Sequence, residues 1–202
     1  TVQTEPFDKL SLSDERLAAL GFFGLPKDWA WLCGDLCYAV AKSLRPGFQK
    51  YVLIESDVFL AERSLTDFVT TVVGHKAEAI AARLGPSDRV KRYSKDLANF
   101  GLDPKWGFIF PISVVTPRVV DAMIELRQEQ LRLVPDARLN DEAVLAGAVL
   151  KNVFSYARLE DLLPEYFGTK TFDTNPPHLF EALQENLEEY RIFHPVVPFE
   201  LV

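Results

Sequence analysis

The sequence predicts an α/β protein organised as one domain, and three observations carry that prediction. First, two apolar runs rich in β-branched and aromatic residues, at 51–55 and at Trp106–Val115, are bounded by breakers. Arg45-Pro-Gly47 precedes the first, and Pro104 and Pro117 flank the second, the pattern of buried strands. Second, segments of helical period alternate with these runs. Third, capping residues stand where those helical segments begin: Ser11 or Ser13, Ser64, Pro117 and Asn140.

The elements follow in chain order. Residues 1–10 carry little pattern beyond a short strand or arm. Ser11 or Ser13 caps a short helix that runs to Leu20 and stops at Gly21. Gly24, Pro26 and Asp28 mark a loop into Trp29-Ala-Trp31. A helix begins near Gly34-Asp35 and continues to Leu44, with Cys37, Val40, Ala41 and Leu44 on its apolar face. After the strand at 51–55, Ser64 is expected to cap a helix over 65–73 with Asp67 in its first turn. Residues 77–84 fit helix by their alanine content and strand by their flanking breakers. Residues 86–103 read as a long polar connection containing Arg89, Lys91, Arg92 and Lys95, either a solvated loop or a binding loop.

Pro117 opens a helix over 118–133. Val119, Val120, Met123, Ile124, Leu126 and Leu131 form its apolar face, and Glu125, Arg127, Gln128 and Glu129 stand opposite. Asn140 caps a helix over 141–150, and residues 154–157 form a further strand. A proline-rich tail follows, with a short helix at 179–190.

Composition narrows the function. The chain has 202 residues, 48% hydrophobic and 25% charged, which suits one folded domain with a sizeable core. A net charge of -7 argues against a general binder of nucleic acid or of anionic membranes, while leaving room for a local basic pocket. No apolar run approaches the roughly 20 residues of a membrane span, so no integral membrane segment is expected. No signal-peptide pattern is present, although the chain starts at Thr1. Cys33 and Cys37 are too sparse for a zinc site and wrongly spaced for a redox pair, so buried thiols in a reducing, cytoplasmic setting are expected. Oligomeric state leaves no mark on the sequence.

The most informative segment is Tyr51-Val-Leu-Ile-Glu-Ser-Asp-Val-Phe-Leu60. Extended backbone has period two, so Glu55 and Asp57 project together from the end of a buried strand. Adjacent anions repel unless water or a cation lies between them. A divalent cation that also holds a phosphorylated ligand is one answer. Acids that merely punctuate a solvated strand end are the other.

The order of landmarks resembles that of a GT-A type nucleotide-sugar glycosyltransferase. Trp31-Leu-Cys-Gly-Asp-Leu-Cys-Tyr38, a helix and then the strand ending in Glu55-Ser-Asp57 look like the part of such enzymes that carries the acidic D-x-D-type motif. Phe108-Ile-Phe-Pro-Ile-Ser-Val-Val115 looks like the acceptor-side strand, and Leu139-Asn-Asp-Glu142 like the acidic helix start near the acceptor. Phe193-His-Pro-Val196 is similar to the C-terminal His-Pro segment that returns to the metal in several bacterial sugar transferases. The resemblance implies a Rossmann-like GT-A domain over residues 1–202, a central mixed sheet flanked by helices. Only 54 residues precede Glu55, fewer than the family carries there: either that edge is abbreviated or this chain lacks residues of the native protein.

By that resemblance the chain moves a sugar from a nucleotide-sugar donor to a glycan or lipid-linked acceptor, as in bacterial polysaccharide biosynthesis. Asp57, Glu55 and His194 are the implied ligands of a divalent metal, Mn²⁺ or Mg²⁺. Glu55 also faces the donor ribose, Asp35 lies near the donor nucleotide, and Asp141 or Glu142 is the candidate general base. Each has a plainer reading: Asp35, Asp141 and Glu142 as helix-start acids, His194 as a packing residue. A non-catalytic relative of the same fold is the alternative. A nucleotidyltransferase ranks lower, because no glycine-rich phosphate loop is present.

Overall fold

The computed structural model describes residues 10–60, 62–168, 170–184 and 191–198. Its helices are α1 (Asp14–Ala19), α2 (Trp29–Leu32), α3 (Leu36–Leu44), α4 (Glu62–Gly74), α5 (Pro117–Leu133), α6 (Asp141–Asn152), α7 (Leu159–Leu162) and α8 (Phe180–Gln184). The strands are β1 (Tyr51–Ile54), β2 (Phe59–Leu60), β3 (Ala79–Pro86), β4 (Trp106–Val115), β5 (Tyr156–Arg158), β6 (His178–Leu179), β7 (Ile192–Phe193) and β8 (Val196–Val197). A 3-10 helix covers Ser94–Phe100, inside the segment expected to be a loop.

Helix ends follow local chemistry. The Ser13 hydroxyl accepts from the Arg16 amide, and α1 gives way to Gly21 at φ +82°. Pro117 occupies the first turn of α5, where its missing N–H costs nothing. The Asn140 side chain accepts from the Ala143 amide at 3.0 Å and starts α6. One expected cap is corrected. Ser64 lies inside α4, which begins at Glu62, and among the described residues its buried hydroxyl has no hydrogen-bond partner.

The main sheet has the order β1-β4-β3-β5. Strand β4 runs antiparallel to both β1 and β3, and β3 runs parallel to β5. Strands β1, β3 and β5 therefore point the same way, and their C-terminal ends share one edge. Helices cover both faces. Tyr51, Ala79, Ala81, Phe108 and Phe110 pack with Tyr38 of α3, Val119 and Met123 of α5, and Val144 of α6. Ile80, Ala82, Ile109, Ile112 and Val114 pack with Phe68 and Val72 of α4 and with Leu159, Phe167, Phe172 and Ile192. This alternation settles the ambiguous stretch: 77–84 lies largely in a central strand whose alanines serve close packing from both layers. A third cluster, around Leu17, Phe22, Leu32 and Leu36, seats the N-terminal helices.

Strand β4 carries a pronounced irregularity. Ala81 opposes Ser113 whereas Ala82 opposes Ile109, so Phe110, Pro111 and Ile112 bulge away from β3. Proline lacks the N–H that a central strand needs, and the bulge is where it is tolerated. The Pro111 carbonyl instead accepts from the Glu55 amide at 2.9 Å, at the point where β1 ends.

Several sequence expectations shift. The strand expected at 154–157 forms at Tyr156–Arg158, after Phe154 tucks into the core. Cys33 ends α2 and Cys37 belongs to α3, so the cysteines do not share one helix; both are free thiols. The tail helix is described only over Phe180–Gln184; the expected residues 185–190, and any arm at 1–9, lie outside the described residues. Of two small sheets, β2 with β7 binds the tail to the rest, and β6 with β8 joins two segments of the tail itself. Among the described residues no helix is long and apolar enough to cross a membrane.

Candidate metal centre

The acidic turn and the tail meet through strand pairing. Phe59 opposes Phe193 and Leu60 opposes Ile192 in antiparallel register, which carries residue 194 back alongside the turn at 55–58. The Val58 amide donates to the Glu55 carbonyl at 3.2 Å, closing the turn, and the Val196 amide donates to the Asp57 carbonyl at 2.8 Å. His194 is fixed on its other side, its amide donating to the Thr171 carbonyl at 2.8 Å. The three sequence-predicted ligands thus converge: one ligand atom from each of Glu55, Asp57 and His194 lies within 4.8 Å of the others.

The chemistry of this trio fits a cation. His194 is 7% exposed, and its Nδ1 stands 2.6 Å from the Asp173 carbonyl oxygen. A carbonyl only accepts, so Nδ1 carries the proton. In the neutral ring Nε2 is then a lone pair, and it faces Asp57 Oδ2 at 3.4 Å. That apposition is met either by a proton on Nε2, which makes an ion pair with Asp57, or by a cation between the two. Two ligands held at about 2.1 Å from one ion, about 90–110° apart, lie about 3.0–3.4 Å from each other, and opposite ligands about 4.2 Å. The trio reaches such a shell by a side-chain-scale contraction. The Asp173 carbonyl supplies the outer hydrogen bond that fixes a metal-binding imidazole. Burial, then the neighbouring Asp57 and Glu142 charges, push the Glu55 carboxyl up to about 7.

Asp141 and Glu142 flank this centre. Gly34 makes the approach of α6 possible: a Cβ there would sit 2.6 Å from Asp141 Oδ2 and 2.8 Å from the Phe110 ring. Asp141 is 8% exposed and accepts from the Glu142 amide at 2.7 Å. Burial, then the charge of Asp35, push its carboxyl up to about 8. Glu142 is less enclosed, and its Oε2 stands 3.5 Å from Lys91 Nζ. Lys91 alone of the basic group at 89–95 turns to this site; Arg92 lies over the Tyr93 ring.

Asp35, expected near a donor nucleotide, is turned inward. Arg127 holds both its oxygens, Nη2 to Oδ1 at 2.6 Å and Nε to Oδ2 at 3.1 Å, with both side chains at most 3% exposed. Arg127, placed by the sequence on the polar face of its helix, is therefore fully buried. It also donates to the Leu139 carbonyl at 2.7 Å, just before the Asn140 cap, so the pair positions the start of α6.

Sequence reading missed a second layer. Arg83 adopts φ +57°, a left-handed conformation that costs a non-glycine residue about 1–2 kcal/mol. Compensation is close at hand. Its amide donates to both Glu160 carboxylate oxygens at 3.0 Å, and its guanidinium grips the Asp173 carboxylate at 3.0 and 3.3 Å. Arg83 thereby holds the residue that orients His194. The tryptophans divide: Trp29 and Trp106 are half-buried, while Trp31 is exposed and meets Tyr93 edge-on. Comparison with known family models and with curated proteins finds no match to this chain.

Proposed function

We propose that the protein is a metal-dependent glycosyltransferase that moves a sugar from a nucleotide-sugar donor to a glycan or lipid-linked acceptor, within a GT-A-like domain. One observation carries the reading: His194 returns from the far end of the chain to Glu55 and Asp57 at the C-terminal edge of the sheet, with one ligand atom of each within 4.8 Å of the others. Open α/β sheets bind ligands outside the carboxyl ends of their strands. Mixed carboxylate and imidazole ligation suits Mn²⁺ or Mg²⁺, and such an ion, when bound, neutralises the diphosphate leaving group.

The chain's own residues divide the remaining work. Asp57 and His194 present lone pairs to the ion. Glu55, with its carboxyl near 7, takes up or yields a proton as the ion leaves or enters. Asp141 is held protonated at neutral pH, which favours Glu142 as the base that removes the acceptor hydroxyl proton. Lys91 beside Glu142 fixes the direction of that carboxylate.

The test is ligand linkage. Mn²⁺ together with a nucleoside diphosphate is expected to raise the melting temperature, since ligand at 100 times its Kd stabilises by about 2.7 kcal/mol. Asp57→Asn is expected to abolish the rise. A mass-spectrometric donor screen then distinguishes sugar transfer from nucleotidyl transfer. No shift with any nucleoside diphosphate, in wild type and variant alike, contradicts the reading.

A further inference from the structure

A cleft of about 430 Å³ is lined from three strands of the main sheet. Arg83 and Pro86 come from β3, Gly107 and Ile109 from β4, and Arg158 from the end of β5. Two separate chains of contact join it to the metal centre. On one side Arg83 grips Asp173, whose carbonyl takes the His194 ring. On the other, Lys91 lines the cleft and pairs with Glu142, the candidate base. Ile109 also stands two residues before Pro111, the partner of Glu55. A molecule in this cleft would stand one residue removed from His194, through Asp173, and one removed from Glu142, through Lys91.

The polar groups of the cleft are unequally committed. Asp173 is bound to Arg83, Glu160 accepts from the Arg83 amide, and Lys91 is paired with Glu142. Asp88 stands exposed on the rim. Arg158 differs. Its Nε donates to the Leu84 carbonyl at 3.0 Å, which fixes the guanidinium, yet among the described residues no carboxylate lies within ion-pair distance of it. Its Nη2 lies over Gly85, where a Cβ would come within 3.2 Å. A half-buried guanidinium, anchored at one nitrogen and open at the others, presents the fork that binds carboxylate or phosphate. Ser87, Thr174 and the outer lone pairs of Asp173 and Glu160 offer both donors and acceptors, as ring hydroxyls require.

The geometry points to this cleft as the acceptor subsite, and to an acceptor sugar bearing an oxyanion, carboxylate or phosphate, that Arg158 binds. The inference rests on the transferase reading for the word acceptor, but the binding it asserts is measurable without any transfer. Backbone amide NMR titration of the full chain with glucuronate, glucose 6-phosphate and glucose is the experiment. Glucuronate or glucose 6-phosphate is expected to bind at least tenfold more tightly than glucose, shifting amides at 83–91 and 173–174. The tighter of the two says whether carboxylate or phosphate is read.

Arg158→Ala is expected to remove the preference, and Arg158→Lys, which keeps the charge and loses the fork, to reduce it. The lysine variant decides the matter if the alanine variant does not fold. Equal binding of glucose, no binding of any of the three, shifts confined to 55–58 and 194–196, or a preference untouched by both substitutions overturns the assignment. Asp57→Asn separates the two claims: it is expected to leave anion binding intact while abolishing stabilisation by Mn²⁺ and nucleoside diphosphate.

Discussion

Replacing Asp35 by alanine tests the buried framework behind the site. The substitution leaves Arg127 charged, 1% exposed and stripped of the carboxylate that takes its Nε and Nη2. Only its Nη1 bonds, to Gln130 Oε1 at 3.1 Å and to the Leu139 carbonyl at 2.7 Å, remain. Removing one partner of a buried pair costs about 3–5 kcal/mol, because the surviving charge is uncompensated. For a domain of this size that corresponds to a fall of about 6–20 °C in melting temperature. Arg127→Met leaves the Asp35 carboxylate and the Leu139 carbonyl unpaired and is expected to cost a similar amount. The double variant Asp35→Leu/Arg127→Met removes both charges, so its loss should be far smaller than the sum. Urea unfolding at neutral pH, comparing midpoints at constant slope, reads all three. The trio stands on β1 and the tail, so Mn²⁺ affinity should be unaffected. A loss under about 1 kcal/mol for Asp35→Ala, the range of exposed pairs, refutes the reasoning.

Two further outcomes follow from single residues. The Asp141 carboxyl is raised from 3.8 to about 8, so its contribution to stability is complete below about pH 4 and is lost as pH rises through 8. Asp141→Asn has no such loss and should exceed wild type at pH 9 by on the order of 3–5 kcal/mol, with the two nearly equal at pH 4. Parallel stability curves contradict the buried placement. Val153 ends α6 at φ +54° and is 89% exposed, so it carries left-handed strain and buries almost nothing. Val153→Gly should therefore stabilise by about 0.5–1 kcal/mol, net of the entropy glycine adds to the unfolded chain. A lower melting temperature would mean that the helix ends differently.

Strand β4, the proline start of α5 and the asparagine cap of α6 were legible because each rests on local chemistry. Glu55 and Asp57 do stand together, but in a turn after β1 rather than on the extended backbone that period-two reasoning assumed. The return of His194 was reached only through resemblance, since the β2–β7 pairing that achieves it spans two residues on each side. Arg127 was misread although the spacing held the answer. It stands seven residues after Val120 and four after Met123, on the inward face, and its charge outweighed its position. Asp35 could not be assigned because its partner lies 92 residues away. The left-handed Arg83 left no local signature, since an arginine in a strand argues against the conformation it adopts, whereas Pro111 inside an apolar run was a sign of the β4 bulge that went unread.

The claim on which the rest stands is that Glu55, Asp57 and His194 hold one ion. Calorimetric titration with Mn²⁺ of the wild type, Asp57→Asn and His194→Gln tests it most directly. Wild type should bind a single equivalent, and each variant should bind about tenfold more weakly or worse. A wild type that takes up no Mn²⁺ or Mg²⁺, or one whose affinity survives both substitutions, contradicts it.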